Sequence, residues 1–313
     1  MRRLFAILEQ VSNTDSTLLV EGETGTGKEL VALAVHEASP RKDGPFVVLD
    51  CAAVPGELVE SELFGHVRGA FTGAATNRPG AFVSADNGTL FLDELNSLPI
   101  TMQPKLLRAL ESRSVKAVGS DAPRKVNVRV IAACNSDVER DVAEGRFRPD
   151  LFYRLSVVHV RIPPLRQRRD DIPVIAARML EEMGGCEPGE ISGPNLDRLA
   201  AHAWPGNVRE LRNVIERACA LSGGVPRPFR DMTLHLGPSR EGGERLQVDT
   251  EATYSRAKEK VLASFERIYL EALMQRCGGN ISLASRVSEL DRKQLRKLLR
   301  RLGLIAGPET DEG

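Results

Sequence analysis

GETGTGK, residues 22–28, is the stretch whose reading decides the fold. It follows a short apolar run, LLV at 18–20, and precedes ELVALAVHEA at 29–38, a run of good helix formers. A glycine-rich turn between a strand and a helix is the setting in which G-x-x-x-x-G-K holds phosphate. Gly22, Gly25 and Gly27, with Glu23, Thr24 and Thr26 between them, let backbone N–H groups turn inward around phosphate oxygens, and the helix that follows points its positive end there. Lys28 is placed to reach the β and γ phosphates. A glycine turn with a surface lysine would fit the same seven residues, but not the strand before them, the helix after them and the acidic strand end described next.

Glu29 stands where the generic motif has a Ser or Thr that holds magnesium, so a metal ligand must come from elsewhere. GTLFLDE at 88–94 supplies an acidic pair at the end of an apolar strand. Asp93 would hold Mg²⁺ directly or through water, and Glu94 would orient and deprotonate the attacking water. Taken alone, such a pair reads as a helix cap; beside a phosphate loop it reads as hydrolytic. Asn135 ends the next apolar run, where its amide can hold the lytic water or the γ-phosphate.

Outward from this centre, β-rich runs at 18–20, 46–50, 89–94, 128–135 and 157–162 alternate with amphipathic stretches, the pattern of a parallel sheet covered by helices. From residue 170 to about 221 helix-period apolar residues take over, among them Ile172, Ile175, Ala176, Met179 and Leu180. Glycine, proline and charge crowd residues 223–253, which reads as an exposed linker with little core. A final helical segment follows. The expected division is 1–165 α/β, 166–222 helical, 223–253 linker and 254–313 all-α.

Composition narrows the function further. Lys and Arg number 43 and Asp and Glu 43, so the formal charge is zero and any basic surface must be local. The five cysteines, Cys51, Cys134, Cys186, Cys219 and Cys277, lack metal-ligand spacing and read as buried thiols of a reducing cytoplasm. No apolar run approaches membrane-spanning length and no signal peptide is visible, so a cytoplasmic protein is expected.

ESELFGHVRGAFTGA at 60–74 closely resembles one family, the bacterial enhancer-binding proteins that activate sigma-54 RNA polymerase. The resemblance runs over about residues 1–304. It implies an AAA+ P-loop ATPase core with a helical lid, a homo-oligomeric ring of six or seven subunits, ATP and Mg²⁺ as ligands, and no membrane partner. Gly69, Ala70, Phe71, Thr72, Gly73 and Ala74 form the family signature, which tips a mobile loop that touches sigma-54 and promoter DNA. GRFRPDLFYRL at 145–155 matches the segment of the arginine fingers, so Arg148 and Arg154 are expected to enter a neighbouring subunit's site. WPGNVREL at 204–211 resembles the lid motif that turns Arg209 towards the γ-phosphate.

The chain also departs from the pattern. Asp50 stands where many relatives have an Asn that restrains the catalytic glutamate, and a carboxylate facing Glu94 would repel it. Val67 replaces a common glutamate just before the signature.

Residues 278–304 resemble the Fis-type helix-turn-helix of the same family, with 281–287 as first helix and 291–302 as recognition helix. Asp291 is the expected N-cap, and Leu295, Leu298, Leu299 and Leu302 form an apolar stripe. Arg292, Lys293, Arg296 and Lys297, with Arg300 and Arg301, face the other way and suit phosphate and major-groove contacts at upstream DNA sites. DNA binding is the expectation and a solvated basic helix the alternative, kept open because Ser288 and Glu289 replace the usual Leu-Gly of the turn. The helix at 262–276 is expected to support pairing of this module. Two other readings stay open: an AAA+ unfoldase or helicase loader, which would need an aromatic pore loop in place of GAFTGA, and a DNA-binding regulator whose motor has lost turnover, suggested by Asp50 and by a start inside the family's opening segment.

Overall fold

The computed structural model describes residues 1–135, 137–183, 191–222, 228–237, 253–278, 280–288 and 290–301. They belong to two compact units, Met1–Ser239 and Arg240–Gly313.

The first unit is built on five parallel strands, β1 Leu18–Glu21, β2 Phe46–Asp50, β3 Thr89–Asp93, β4 Arg129–Cys134 and β5 Val158–Arg161, in the order β2-β3-β4-β1-β5. Each of the five expected apolar runs supplies one strand. The three central strands are buried almost throughout, which is why their sequences are continuously apolar rather than alternating. Side chains still leave the sheet on alternate faces. Leu18, Val20, Phe91, Ile131 and Ala133 meet Leu4 and Leu8 of α1, Arg2–Ser12, and Ala32 and Val35 of α2, Lys28–Glu37. Leu19, Leu90, Leu92, Val130 and Ala132 share the opposite core with α3 Val59–Phe64, α4 Ala81–Ser84, α5 Gln103–Ser112, α6 Val138–Ala143 and α7 Pro149–Leu155. In register, Asp50 lies beside Asp93 and Glu21 beside Cys134, so these strand ends form one edge, the edge where open parallel sheets take ligands.

Arg129 opens β4 yet is only 1% exposed. Its guanidinium donates to the Val11 and Ser12 carbonyls at 2.8 and 2.9 Å, closing the C-terminal end of α1 with a positive charge. Thus α1 is fastened to the sheet by a residue far along the chain.

Two short hairpins leave the core. Gly65–His66 pairs antiparallel with Arg78–Pro79 and carries the 67–77 loop; Ser114–Val115 pairs with Arg124–Lys125.

The helical half of this unit comprises α8 Ile172–Met183, α9 Pro194–Ala201 and α10 Asn207–Leu221 around a fully buried Trp204, whose indole N–H donates to the Leu199 carbonyl at 2.8 Å. Residues 228–237 differ from the exposed linker expected there. Phe229, Met232 and Leu234 are buried in this core, and the Asn195 amide donates to the Phe229 and Met232 carbonyls, both at 2.8 Å. Three spaced apolar residues suffice to hold a segment that proline, glycine and charge made look solvated. The remainder of the expected linker, 223–227 and 238–252, lies outside the described residues.

The second unit contains α11 Tyr254–Arg276, α12 Ile281–Ser288 and α13 Arg292–Arg301. Leu270, Leu273, Cys277, Ala284, Leu295 and Leu299 form its core. The α11 helix starts at Tyr254, where the final helical segment was expected to begin, and includes the whole of the 262–276 stretch. Asn280 caps α12 through the Ser282 and Leu283 N–H groups, and Asp291 caps α13 through those of Lys293 and Gln294 at 2.8 and 3.3 Å. Among the described residues no helix is long and apolar enough to cross a membrane. Cys51, Cys134 and Cys277 are buried and Cys219 half-buried, and burial pushes the Cys51 and Cys134 thiols up to about 12. Cys186 lies outside the described residues.

Candidate nucleotide site and its outlying loops

The 22–28 loop leaves β1 and enters α2 as expected. Gly25 and Gly27 have φ of +80° and +97°, a backbone region that L side chains rarely occupy, which accounts for glycine at both places. The Thr26 hydroxyl donates to the Glu23 carbonyl at 2.7 Å and braces the loop from within. Lys28 is 8% exposed, and its Nζ donates to the Gly22 carbonyl at 2.9 Å. Burial pushes its ammonium below an ordinary lysine, with Asp93 and Glu94 pulling the other way. This is a cation held in readiness for an anion.

Asp93 and Glu94 sit across from it at the end of β3. An Asp93 carboxylate oxygen accepts the Glu94 N–H at 2.9 Å, and Glu94 itself has φ +47°. A left-handed backbone on a glutamate stores about 1–3 kcal/mol of strain, a feature that clusters at functional sites. Thr24, Gly25, Gly27, Lys28, Glu29, Asp93, Glu94 and Arg209 all line one cavity of about 300 Å³. A second cavity of about 670 Å³ shares Gly27, Leu30, Val208 and Arg212 with it and is walled by Phe5, Leu8, Val31, Ile175 and Met179. A small polar chamber with a buried cation and two carboxylates, joined to a larger apolar one, fits a nucleoside triphosphate, and Asp93 is the residue that would hold a divalent ion beside it. The apolar wall was not read from the sequence, since its residues come from α1, α2 and α8 and each looks like ordinary core.

Other expected members lie elsewhere. The Asn135 N–H reaches the Asn96 side-chain oxygen at 3.5 Å, but Asn135 does not line the 300 Å³ cavity. Arg148 is paired in two hydrogen bonds, at 3.0 and 2.7 Å, with Asp150 on the surface. Arg154, exposed on α7, donates to the Leu110 carbonyl at 3.1 Å. Neither arginine faces its own chain's phosphate chamber. Asp50 does not meet Glu94 as expected; one carboxylate oxygen accepts the Ala52 and Ala53 N–H groups at 2.9 and 3.2 Å. A carboxylate with two backbone donors within its own turn has no reason to face another carboxylate. The Glu23 side chain also points away from the chamber, onto Arg166 at 2.6 and 2.8 Å.

The 69–74 loop is separate from this chemistry. Gly69 and Gly73 have φ of +82° and +104° with open space around them, and the Gly69 N–H donates to the Ala74 carbonyl at 2.9 Å to close the turn. Thr72 is exposed, Phe71 is 38% exposed with its ring against the edge of His66, and Ala74 is buried at the base. Val67 packs towards Gly119, where its glutamate counterpart would place a charge.

On α13, Arg292, Lys293, Arg296, Lys297, Arg300 and Arg301 are all exposed, whereas Leu295 and Leu299 are fully buried. Leu302 and Glu289 lie outside the described residues. Two serines of α12 hold the turn before α13: the Ser288 hydroxyl donates to the Ala284 carbonyl at 2.7 Å and accepts the Leu290 N–H at 3.4 Å, and the Ser285 hydroxyl donates to the Leu290 carbonyl at 2.7 Å.

Comparisons with known proteins agree with this arrangement. Residues 1–161 match the Sigma-54 interaction domain, 166–245 the AAA+ ATPase lid domain, and 261–302 the Fis family of bacterial regulatory proteins. The chain is 42% identical to the anaerobic nitric oxide reductase transcription regulator NorR of Aeromonas salmonicida, over 97% of this chain and 62% of that one. It is 40% identical to the transcriptional regulatory protein GlrR of Escherichia coli, over 98% and 67%. Among solved structures it resembles NtrX from Brucella abortus, 36% identical over 97% of this chain and 67% of that chain, with a TM-score of 0.69. NtrX has also been solved in complex with ATP. The chain spans about three fifths to two thirds of the length of these relatives.

Proposed function

We propose that this chain, which belongs to the sigma-54-dependent transcriptional activators with their AAA+ core, lid and Fis-type helix-turn-helix, is an ATP-hydrolysing motor that remodels the sigma-54 RNA polymerase closed complex from upstream DNA sites. The observation that carries the proposal is the convergence of Lys28, Asp93, Glu94 and Arg209 on one chamber while Phe71 and Thr72 stand exposed on a loop outside it.

In this reading the inward N–H groups of the 22–28 loop and the Lys28 ammonium hold the β and γ phosphates. Glu94 takes a proton from the attacking water. Asp93 would hold Mg²⁺, which when bound neutralises phosphate charge. Arg209 contacts the γ-phosphate from the lid side. Arg148 and Arg154, turned away from their own chamber, complete that of a neighbouring subunit in a ring of six or seven, so turnover depends on assembly. Gly69 to Ala74 carry the result to sigma-54. Arg292, Lys293, Arg296 and Lys297 hold the DNA, and the working compartment is the cytoplasm. The organisation that goes with this reading is 1–165 and 166–222, with 228–237 packed into the core of the latter, for the motor and 254–313 for DNA.

The test is reconstitution: the purified chain with sigma-54 polymerase at a dependent promoter, with ATP or with ADP, scored for promoter melting. Open complexes that form with ATP alone are expected. ATP hydrolysis without any melting would refute the activator reading while sparing the motor.

A further inference from the structure

The 22–28 loop has an outer side as well as an inner one, and every carbonyl on that outer side is taken by the lid or by the segment leading to it. The Thr24 carbonyl accepts the Asn207 side-chain amide at 3.1 Å. The Gly25 carbonyl accepts the Val208 and Arg209 N–H groups at 2.9 and 3.3 Å, two donors that the start of α10 would otherwise leave unpaired. The Thr26 carbonyl accepts Arg168 at 2.9 Å. In a planar trans peptide the carbonyl and the following N–H point opposite ways. Holding the Thr24 and Thr26 carbonyls from outside therefore turns the Gly25 and Gly27 N–H groups to the other side, towards the chamber.

Asn207 is the centre of this junction. It is fully buried, with φ +51°, and its side chain is used up. The amide nitrogen serves the Thr24 carbonyl and the Glu23 carboxylate, the latter at 3.2 Å, and the oxygen accepts the Leu165 N–H at 2.8 Å. Arg166 grips the same carboxylate with two nitrogens and, with burial opposing and Asn207 assisting, holds it below the usual range, so it stays ionised. No apolar contact could specify this geometry, because each of these bonds has a direction. Arg209 is the second residue after Asn207, and its Cβ lies 3.1 Å from where a side chain on Gly25 would begin.

We infer that Asn207, with Arg166 and Glu23, is a positioning residue for Arg209: the junction makes phosphate-loop conformation and lid position a single variable, so that the lid reads the γ-phosphate through the loop's outer carbonyls. The inference rests on the nucleotide reading above. Asn207 itself touches no phosphate. Losing it leaves in place Lys28 and the Gly27 N–H, which the Arg168 hold on the Thr26 carbonyl turns inward, but lets Arg209 drift, which weakens a triphosphate more than a diphosphate.

The experiment measures equilibrium affinities of the full chain for ADP and for a non-hydrolysable ATP analogue, with thermal unfolding as the check of folding. Arg209→Ala sets the reference loss in the ratio of the two affinities. Asn207→Ala is expected to lose most of that ratio, with ADP affinity within about threefold of the parent chain, and Asn207→Ala/Arg209→Ala to be no worse than Arg209→Ala alone, the non-additivity of residues acting as one. Arg166→Gln, which opens no buried hole, is expected to lose the ratio in the same direction if Asn207→Ala fails to fold. Effects that multiply independently in the double variant, an unchanged ratio, or an equal loss for ADP would overturn the inference. A parent chain that binds neither nucleotide would instead remove the nucleotide reading beneath it.

Discussion

Gly25→Ala adds one methyl group and tests the contact between loop and lid directly. At φ +80° an alanine carries a left-handed backbone penalty of about 1–2 kcal/mol. Its Cβ would lie 2.4 Å from the Gly206 carbonyl oxygen, against 3.4 Å for ordinary contact, so the lid must retreat by 1 Å. Forcing a methyl into such a place costs roughly a further 1–3 kcal/mol. Gly69→Ala, at φ +82° with nothing nearby, carries the backbone penalty alone. In a unit of this size each kcal/mol moves Tm by roughly 2–4 °C, so Gly25→Ala should melt several degrees below Gly69→Ala. The functional effect should be larger than the thermal one. A displacement of 1 Å at a reacting site costs on the order of 10²-fold in rate, and here it removes Arg209 and breaks the two N–H bonds to Gly25. Steady-state ATPase and differential scanning fluorimetry on the three chains decide the matter. If Gly25→Ala turned over within twofold of the parent and melted with Gly69→Ala, the tight contact would be irrelevant to the mechanism.

Glu94→Gln should bind ATP yet hydrolyse it at least about 10²-fold more slowly in single-turnover assays, the scale of a lost general base. ATP affinity should fall on the alkaline side: the Lys28 ammonium is already pushed below 10.5 in the free chain, phosphate would pull it up, and nucleotide therefore binds the protonated form, so affinity declines as pH rises past the free-chain value. A titration flat to beyond pH 10.5 would remove Lys28 from the phosphate site. Thr72→Ala should keep its ATPase and lose open-complex formation, and equal loss of both would tie the loop to the chamber. Arg292→Ala and Arg296→Ala should each weaken specific DNA binding by about 1–3 kcal/mol where they touch a base and flatten its salt dependence; an unchanged slope would leave the basic face merely solvated.

Much of the site could be read in advance because it depends on spacing along the chain. A glycine loop between strand and helix, and an acidic pair at a later strand end, fix Lys28, Asp93 and Glu94 without knowledge of the rest. What escaped reading depends on which distant groups a side chain finds. Asp50 was expected to oppose Glu94, but two N–H groups two and three residues ahead were nearer partners. Glu23, within the phosphate loop, serves Arg166, 143 residues away, rather than phosphate. The lid contacts of 228–237 rest on three apolar residues among many polar ones. The helix-turn-helix was legible from the Asp291 cap and the leucine stripe, while Ser288, at one of the two positions whose departure from Leu-Gly had cast doubt on it, accepts the Leu290 N–H in the turn.

The Arg129 clamp on α1 bears on the order in which a newborn chain matures. Val11 and Ser12 are translated first, but the guanidinium that closes their helix comes 118 and 117 residues later. At roughly 5–20 residues per second, that interval lasts about 6–23 s. During it Phe5 and Leu8, which wall the larger cavity, belong to a helix with no fastening at its end. The β4 strand that brings Arg129 also separates β3 from β1 in the sheet, so the loop at 22–28 and the acids at 93 and 94 face each other only once the same strand is in place. Both the wall and the chamber therefore wait for β4, and are completed only when α8 and Arg209 follow it, so a nascent chain arrested before residue 129 has neither.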